Sequence, residues 1–319
     1  MKEEMCRLEE FNVSLPEGVC AVVTDRGRAK ALLPKRQRNS HKGNYGRAAI
    51  VAGSVEYTGA AYLSAAACLR SGAGYTVLFT PGDILPLYAL KSPEILLKST
   101  NDGGRYAFNE ETMSQLLSYD SIAYGMGMGA SKEVFKGVEY LLKNYGGKLV
   151  LDADGLNNLA KFADNDLEML LKNKKCDVIL TPHGKEFSRL THLTVDEVLK
   201  KGAEISMRFA RGCRATVLLK NALSVITDGE KLALNLTGNS GQAKGGSGDV
   251  LSGVIAGLCA SGSSAFEGGV LGAYLVGKAA ELAALDFGEY SLTASELIAY
   301  LPRAFLFVTE NTDKDGGEQ

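Results

Sequence analysis

From Gly46 onward the chain alternates short, wholly apolar runs with longer stretches whose apolar residues recur at helical spacing. Arg47–Ala52 is the first such run and stops at Gly53-Ser54. Gly59–Arg70 is Ala-rich and ends at Ser71-Gly72, which reads as a helix with a glycine terminator. Tyr75–Thr80 is β-branched and aromatic and closes at Pro81-Gly82, which reads as a strand. Strand, helix and strand in that order require a parallel sheet. The same pattern predicts strands at Ser121–Tyr124, Lys148–Leu151, Asp177–Leu180, Thr216–Lys220, Ser224–Thr227 and Leu232–Asn235, with a hairpin turn at Asp228-Gly229. Helices are predicted over Lys132–Asn144, Leu156–Phe162, Val195–Arg211 and Phe266–Leu285, and from Val250 and Thr293. Runs such as Leu149-Val150-Leu151 and Val178-Ile179-Leu180 suit strands covered by helices on both faces. The pattern predicts one three-layer α/β/α domain with a central, mostly parallel sheet over residues 41–308. Residues 1–40 read as a lead-in, and the charged 309–319 as a disordered tail.

Composition narrows the classes. The 319 residues are 45% hydrophobic and 23% charged with a net charge of −2, which argues against a broad nucleic-acid-binding surface. Arg28, Lys30, Lys35, Arg36, Arg38, Lys42 and Arg47 form a run without an acid, read as a solvated basic face or as contacts to ligand phosphates. The six cysteines show neither CxxC pairs nor metal spacing, as expected of a reducing compartment. The N-terminus has no apolar signal region and no 18-residue apolar run occurs, so a cytoplasmic protein without membrane or nucleic-acid partners is expected.

Ligands in open α/β sheets bind at the carboxyl ends of parallel strands. Here Gly125-Met126-Gly127-Met128-Gly129 follows Ser121–Tyr124, and Asp152-Ala153-Asp154 follows Lys148–Leu151. Thr181-Pro182-His183-Gly184-Lys185-Glu186 follows Asp177–Leu180. His183 and Glu186, three apart, could act together on a phosphate or a metal–water network. Asp152 and Asp154 suit either catalysis or the N-cap of the helix from Leu156. His41 and His192 read as structural. The GMGMGA stretch imitates a dinucleotide fingerprint but lacks the acidic residue about 20 positions on.

The strongest signal is Gly238–Asp249, where five glycines and Lys244 precede an apolar segment of helical length. Backbone N–H groups in such a loop, with the unpaired donors of a first helical turn, suit phosphate oxygens. Glycine there lets backbone approach a ligand and supplies positive φ. The loop is not a Walker A motif. Gly245, Gly246, Ser247 and Gly248 read as an anion hole. Asp249, an anion beside an anion, reads as a general base, as a group acting through Mg²⁺, or as an ordinary N-cap.

Taken together, HKGNYG (41–46), AGSVEYTGAAYLSAAACLRSGAG (52–74), VLDADGLNNLA (150–160), LTPHGKEFSRL (180–190), VLLKNALSVI (217–226) and GNSGQAKGGSGDVLSGVIAG (238–257) resemble the ADP-dependent NAD(P)H-hydrate dehydratases of the ribokinase-like superfamily. The resemblance implies repair of hydrated NADH and NADPH. ADP phosphorylates the C6 hydroxyl, phosphate elimination restores the cofactor, and AMP is released. It implies Asp249 as catalytic residue, contacts to the hydrated dinucleotide at Ala60, Gly127, His183 and Asp249, and nucleotide contacts at Lys220, Asn221, Ala222, Leu223, Ser224 and Gly248. Glu186 would order Mg²⁺ through water. A homo-oligomer and a functional link to a separate epimerase are expected, with no room for an epimerase domain here. GMGMG stands where the family usually has GPGLG, and KNALS replaces a KG-led loop. A ribokinase-like kinase of a small alcohol or vitamin precursor is the alternative; a non-enzymatic nucleotide-binding module is the third reading.

Overall fold

The apolar runs become the strands of one sheet in the computed structural model, which describes Leu15 and residues 19–163 and 166–310. In chain order they are β1 (Ala21–Val23), β2 (Arg47–Val51), β3 (Tyr75–Thr80), β4 (Leu96–Ser99), β5 (Ser121–Tyr124), β6 (Lys148–Leu151), β7 (Asp177–Leu180), β8 (Thr216–Leu219), β9 (Ser224–Thr227) and β10 (Leu232–Asn235). Their spatial order is β1-β10-β9-β8-β7-β6-β5-β2-β3-β4. Every pairing is parallel except those of β9 with β8 and β10. The chain runs from β2 outward to β3 and β4, then returns to place β5 on the other side of β2. That reversal leaves a crevice between the carboxyl ends of β2 and β5.

The helices are α1 (Arg26–Leu32), α2 (Thr58–Leu69), α3 (Leu85–Ala89), α4 (Glu110–Leu116), α5 (Lys132–Asn144), α6 (Asp154–Phe162), α7 (Leu167–Lys172), α8 (Gly184–Thr191), α9 (Val195–Lys200), α10 (Gly202–Cys213), α11 (Ser247–Ala260), α12 (Ala265–Ser291) and α13 (Ala294–Thr309). Strand side chains alternate between two cores, as the two-residue period demands. Ile50, Ala123, Val150 and Ile179 meet α2, α11, α12 and α13 on one face. Val51, Tyr124, Leu151 and Leu180 meet α5, α6, α8 and α10 on the other. Three layers result, as expected.

Two expectations are corrected. Val195–Arg211 is not one helix: Lys201 (φ −123°, ψ 29°) separates α9 from α10. The lead-in, read as helical or irregular, does hold the helix α1, but it also holds a strand, β1, which pairs with β10. Of the stretch read as a disordered tail, Thr309 ends α13 and residues 311–319 lie outside the described residues.

The glycines after the loop serve packing. A Cβ on Gly253 would lie 2.0 Å from the Ser64 carbonyl oxygen, and one on Gly257 2.8 Å from that of Cys68. α11 therefore lies directly on α2, which fixes where the first turn of α11 is presented.

Candidate active site

The crevice between β2 and β5 is floored by backbone. The Gly53 N–H donates to the Met126 carbonyl at 2.8 Å, joining the two strand ends. Gly125, Gly127 and Gly129 all have positive φ (122°, 63° and 81°), and a Cβ on Gly125 would lie 2.3 Å from the Asp152 carbonyl oxygen. Met126 is fully buried in the core below them. A Cβ on Gly127 would lie 2.8 Å from that of Ala60 and 2.7 Å from that of Tyr57. The fold thus brings Ala60 and Gly127 together. It also adds Tyr57, 59% exposed beside them, which carried no signal in the sequence.

The glycine loop divides into a pinned part and an open part. Asn239 and Gln242 cap a short turn at Ser240–Gln242, and the Gly238 N–H donates to Glu281. Ser240 bonds Glu289, and Lys244 Nζ donates to the Tyr290 carbonyl, so Lys244 is tied to the end of α12. Gly245 has nothing within 4 Å of an added Cβ. Gly246 occupies the N-cap of α11 at φ +97° without a side-chain cap bond. The N-cap reading of Asp249 is therefore corrected: it is the third residue of the helix, and its carboxylate accepts no N–H of the first turn among the described residues. The N–H groups of Gly248 and Asp249 have no acceptor among the described residues. They are the unpaired donors that an anion needs at a helix start.

Three carboxylates and one ammonium surround this turn. Burial pushes the Asp249 carboxyl up to about 7; Asp152 and Asp154 push the same way, while Lys220 opposes them. Asp152 is 1% exposed, with Oδ1 2.8 Å from Lys220 Nζ and Oδ2 accepting from Ser252 Oγ at 2.6 Å. Burial works against the Lys220 charge, but Asp152, Glu186 and Asp249 outweigh it and hold the ammonium above its ordinary range. A Cβ on Gly248 would stand 3.3 Å from Lys220 Nζ. The N-cap reading of Asp152 and Asp154 is also corrected. Ala153, at φ +48°, takes the N-cap of α6, and Asp154 accepts from the Gly129 N–H at 2.7 Å. A positive φ at alanine is strained backbone, a kind that gathers at functional sites.

Beyond Lys220, Asn221 and Ala222 are exposed and Leu223 is buried beneath them, while Ser224 Oγ donates to the Asn221 carbonyl. Asn221 is not among the positive-φ residues, so replacing glycine there imposes no backbone strain. His183 and Glu186 form a reciprocal cap on α8. His183 Nδ1 accepts from the N–H groups of Lys185 and Glu186, and Glu186 Oε2 accepts from the His183 N–H at 2.9 Å. Nε2 of His183 lies 3.2 Å from Glu186 Oε1 and carries the ring proton, because Nδ1 is an acceptor. The imidazole remains half exposed at the rim, while Glu186 is buried.

A cavity of about 410 Å³ opens next to this cluster, lined by Ala130, Asp154, Asn157, Ala160, Lys161 and Arg189. The basic run lies at the other rim. Arg36 stacks on Tyr45 and donates to the Gly72 carbonyl, while Lys42 and Arg47 lie over Tyr75 and Tyr119, all near the amino ends of β2 and β3. These three side chains are therefore engaged in structural contacts away from the site.

A family model described as NAD(P)H-hydrate dehydratase matches residues 48–303. The ADP-dependent (S)-NAD(P)H-hydrate dehydratase of Bacillus subtilis is 34% identical over 278 residues, 86% of this chain and 95% of that protein. A bifunctional NAD(P)H-hydrate repair enzyme of Thermofilum pendens is 34% identical over 88% of this chain. The chain spans only 53% of that longer protein. The crystal structure of the ADP/ATP-dependent NAD(P)H-hydrate dehydratase from Bacillus subtilis, co-crystallized with ATP/Mg²⁺, superposes with a TM-score of 0.79 at 33% identity. It covers 92% of this chain and 100% of that one.

Proposed function

Because the chain belongs to the NAD(P)H-hydrate dehydratase family, we propose that it restores hydrated NADH and NADPH at the expense of ADP. The observation that carries this reading is Asp249, a carboxylate with a proton affinity near neutrality in the first turn of a helix whose N–H groups await an anion. A base poised near the working pH removes a hydroxyl proton most effectively. Asp249 takes the proton of the C6 hydroxyl as its oxygen attacks the terminal phosphoryl group of ADP, and AMP leaves. Phosphate then departs from C6 and a proton from C5, re-forming the C5–C6 double bond. Hydroxide is a poor leaving group and phosphate a good one, which is the chemical purpose of the nucleotide.

Ala60, Gly127 and His183 bind the dinucleotide beside Asp249. Lys220–Ser224 and Gly248 bind the nucleotide, and Gly245–Gly248 form the anion hole for the moving charge. Among the described residues no three His, Cys, Asp or Glu side chains converge to cage a metal. A cation would arrive on the nucleotide's phosphates and be ordered through water by Glu186, whose carboxylate also meets the His183 N–H and ring, as Mg²⁺ commonly keeps its waters. Bound there, Mg²⁺ would neutralise phosphate charge. A cytoplasmic homo-oligomer functionally linked to an NAD(P)H-hydrate epimerase completes the proposal. Four buried free thiols, at Cys68, Cys176, Cys213 and Cys259, support the reducing compartment.

The test mixes protein, hydrated cofactor, Mg²⁺ and either ADP or ATP and follows recovery of the reduced-nicotinamide absorbance. Reduced cofactor and nucleotide product should form in equal amounts. A stable phosphorylated alcohol, with no activity on hydrated cofactor, would support a small-alcohol kinase instead.

A further inference from the structure

Asp152 is used by none of the steps above, yet it is the most constrained polar residue at the site. It directly follows the central strand β6, its N–H donates to the Tyr124 carbonyl at 3.2 Å, and its carbonyl accepts from the Gly155 N–H at 2.9 Å. Its two carboxylate oxygens are committed to Lys220 and Ser252. A lysine stem has four rotatable carbons and a point charge that takes no fixed direction without a partner. The Lys220 backbone is anchored, its N–H donating to the Pro182 carbonyl at 2.8 Å, but that bond fixes only the root of the side chain and leaves the direction of the ammonium to its own partner, Asp152. The Lys220 nitrogen stands 3.3 Å from where a Gly248 Cβ would be, with Asp152 Oδ2 3.7 Å from the same point.

We propose that Asp152 is the positioning residue of this site, holding the Lys220 ammonium against the Gly248 cradle so that it takes up charge from the transferring phosphoryl group. This rests on the phosphoryl-transfer reading above. An ammonium aimed in advance at developing charge contributes most in the transition state, because nothing has to reorient as the charge appears. The same carboxylate adds a fixed negative charge beside the base. The charged groups facing Asp249 are Asp152 after β6, Asp154 at the start of α6 and Lys220 after β8; Glu186 of α8 reaches Lys220.

Asp152→Asn keeps the shape and removes the charge. Its kcat should fall by about 10²-fold, the scale of losing one preorganised electrostatic partner, with KM for ADP changed much less. The acid limb of kcat against pH should move to lower pH, since an anion next to the base is gone. In Lys220→Met the limb should move to higher pH, because Asp152 is left uncompensated. The double variant should be no slower than the worse single one, because each residue acts through the other. Unchanged kcat in Asp152→Asn, fully additive losses, or an acid limb that stays in place in both variants would overturn the proposal. If Asp152→Asn does not fold, Ser252→Ala, which removes one hydrogen bond and leaves the charge, should lower kcat about three- to tenfold; an unchanged kcat there overturns it equally.

Calorimetric titration with ADP alone separates this proposal from the repair reading. Affinity should fall about three- to tenfold in each single variant and no further in the double, whatever the second substrate is. An inactive wild type showing that pattern would overturn the repair reading and keep the pair; equal ADP affinity in all variants would overturn the pair.

Discussion

At the residue scale, Asp249 has two consequences of opposite sign. As a base it must be ionised, so activity should rise with pH through about 7 on the acid side. Folding, however, favours its neutral form, because the carboxyl goes from an ordinary 3.8 to about 7. Its contribution to stability is therefore full below about 3.8 and is lost as pH rises through about 7. Asp249→Asn should cut turnover by at least ~10²-fold. It should also make the fold more stable at pH 8, by on the order of 2 kcal/mol given its partial exposure, with the gap closing toward pH 4. Urea denaturation at both pH values, alongside the rate assay, reads both effects. A variant that is slow and no more stable at pH 8 would mean that Asp249 is not held protonated by its surroundings. The placing of Gly248 and Asp249 in one first helical turn was legible in the sequence because the glycine loop and the helix start are contiguous. The pairing of Asp152 with Lys220 and Ser252 was not, since the partners lie 68 and 100 positions away.

At the element scale, β3, the strands from β5 to β7, and β9 and β10 keep the bounds that their apolar runs predict, because a strand buried on both faces is apolar along nearly its whole length. The helix α8 went unrecognised. Its cap is His183, not Ser, Thr, Asp or Asn, so the usual start signal is missing. β4 went unread as well, since Leu96–Ser99 lies at an edge with most of its residues exposed. The break between α9 and α10 is hidden because Lys200, Lys201 and Gly202 fall on the polar stripe of what reads as one amphipathic helix. The approach of α11 to α2 gives a contrast between two glycines of one motif. Gly253→Ala forces a methyl group into the Ser64 carbonyl and should destabilise the protein by about 1–3 kcal/mol, the usual range for overpacking. It should also weaken ADP binding, because the first turn of α11 moves with the helix. Gly245→Ala meets open space and should leave the melting temperature within about 1 °C. Equal stability of the two variants would contradict the close contact.

At the scale of the whole molecule, the sheet order places the crevice, and the sequence indicated the rim without its sequence of neighbours. Which strand lies beside which depends on crossovers that short apolar runs do not encode. The N-terminal segment shows this most clearly. Arg26 lies over the Phe307 ring and donates to the Glu310 carbonyl, and Ala29 is fully buried, so α1 docks on α13. Deleting residues 1–33 should lower the melting temperature by about 5–10 °C and promote association through the uncovered edge of β10. An unchanged melt would mean that the folded unit begins after Leu33. The pairing of β1 with β10 also imposes an order in time. Partner strands roughly 210 residues apart, made at about 5–20 residues per second, leave the ribosome some 10–40 s apart. Of the ten strands among the described residues, the earliest in the chain is therefore among the last to find its neighbour, and the nascent chain must keep Val22 and its flanks from other contacts until β10 emerges.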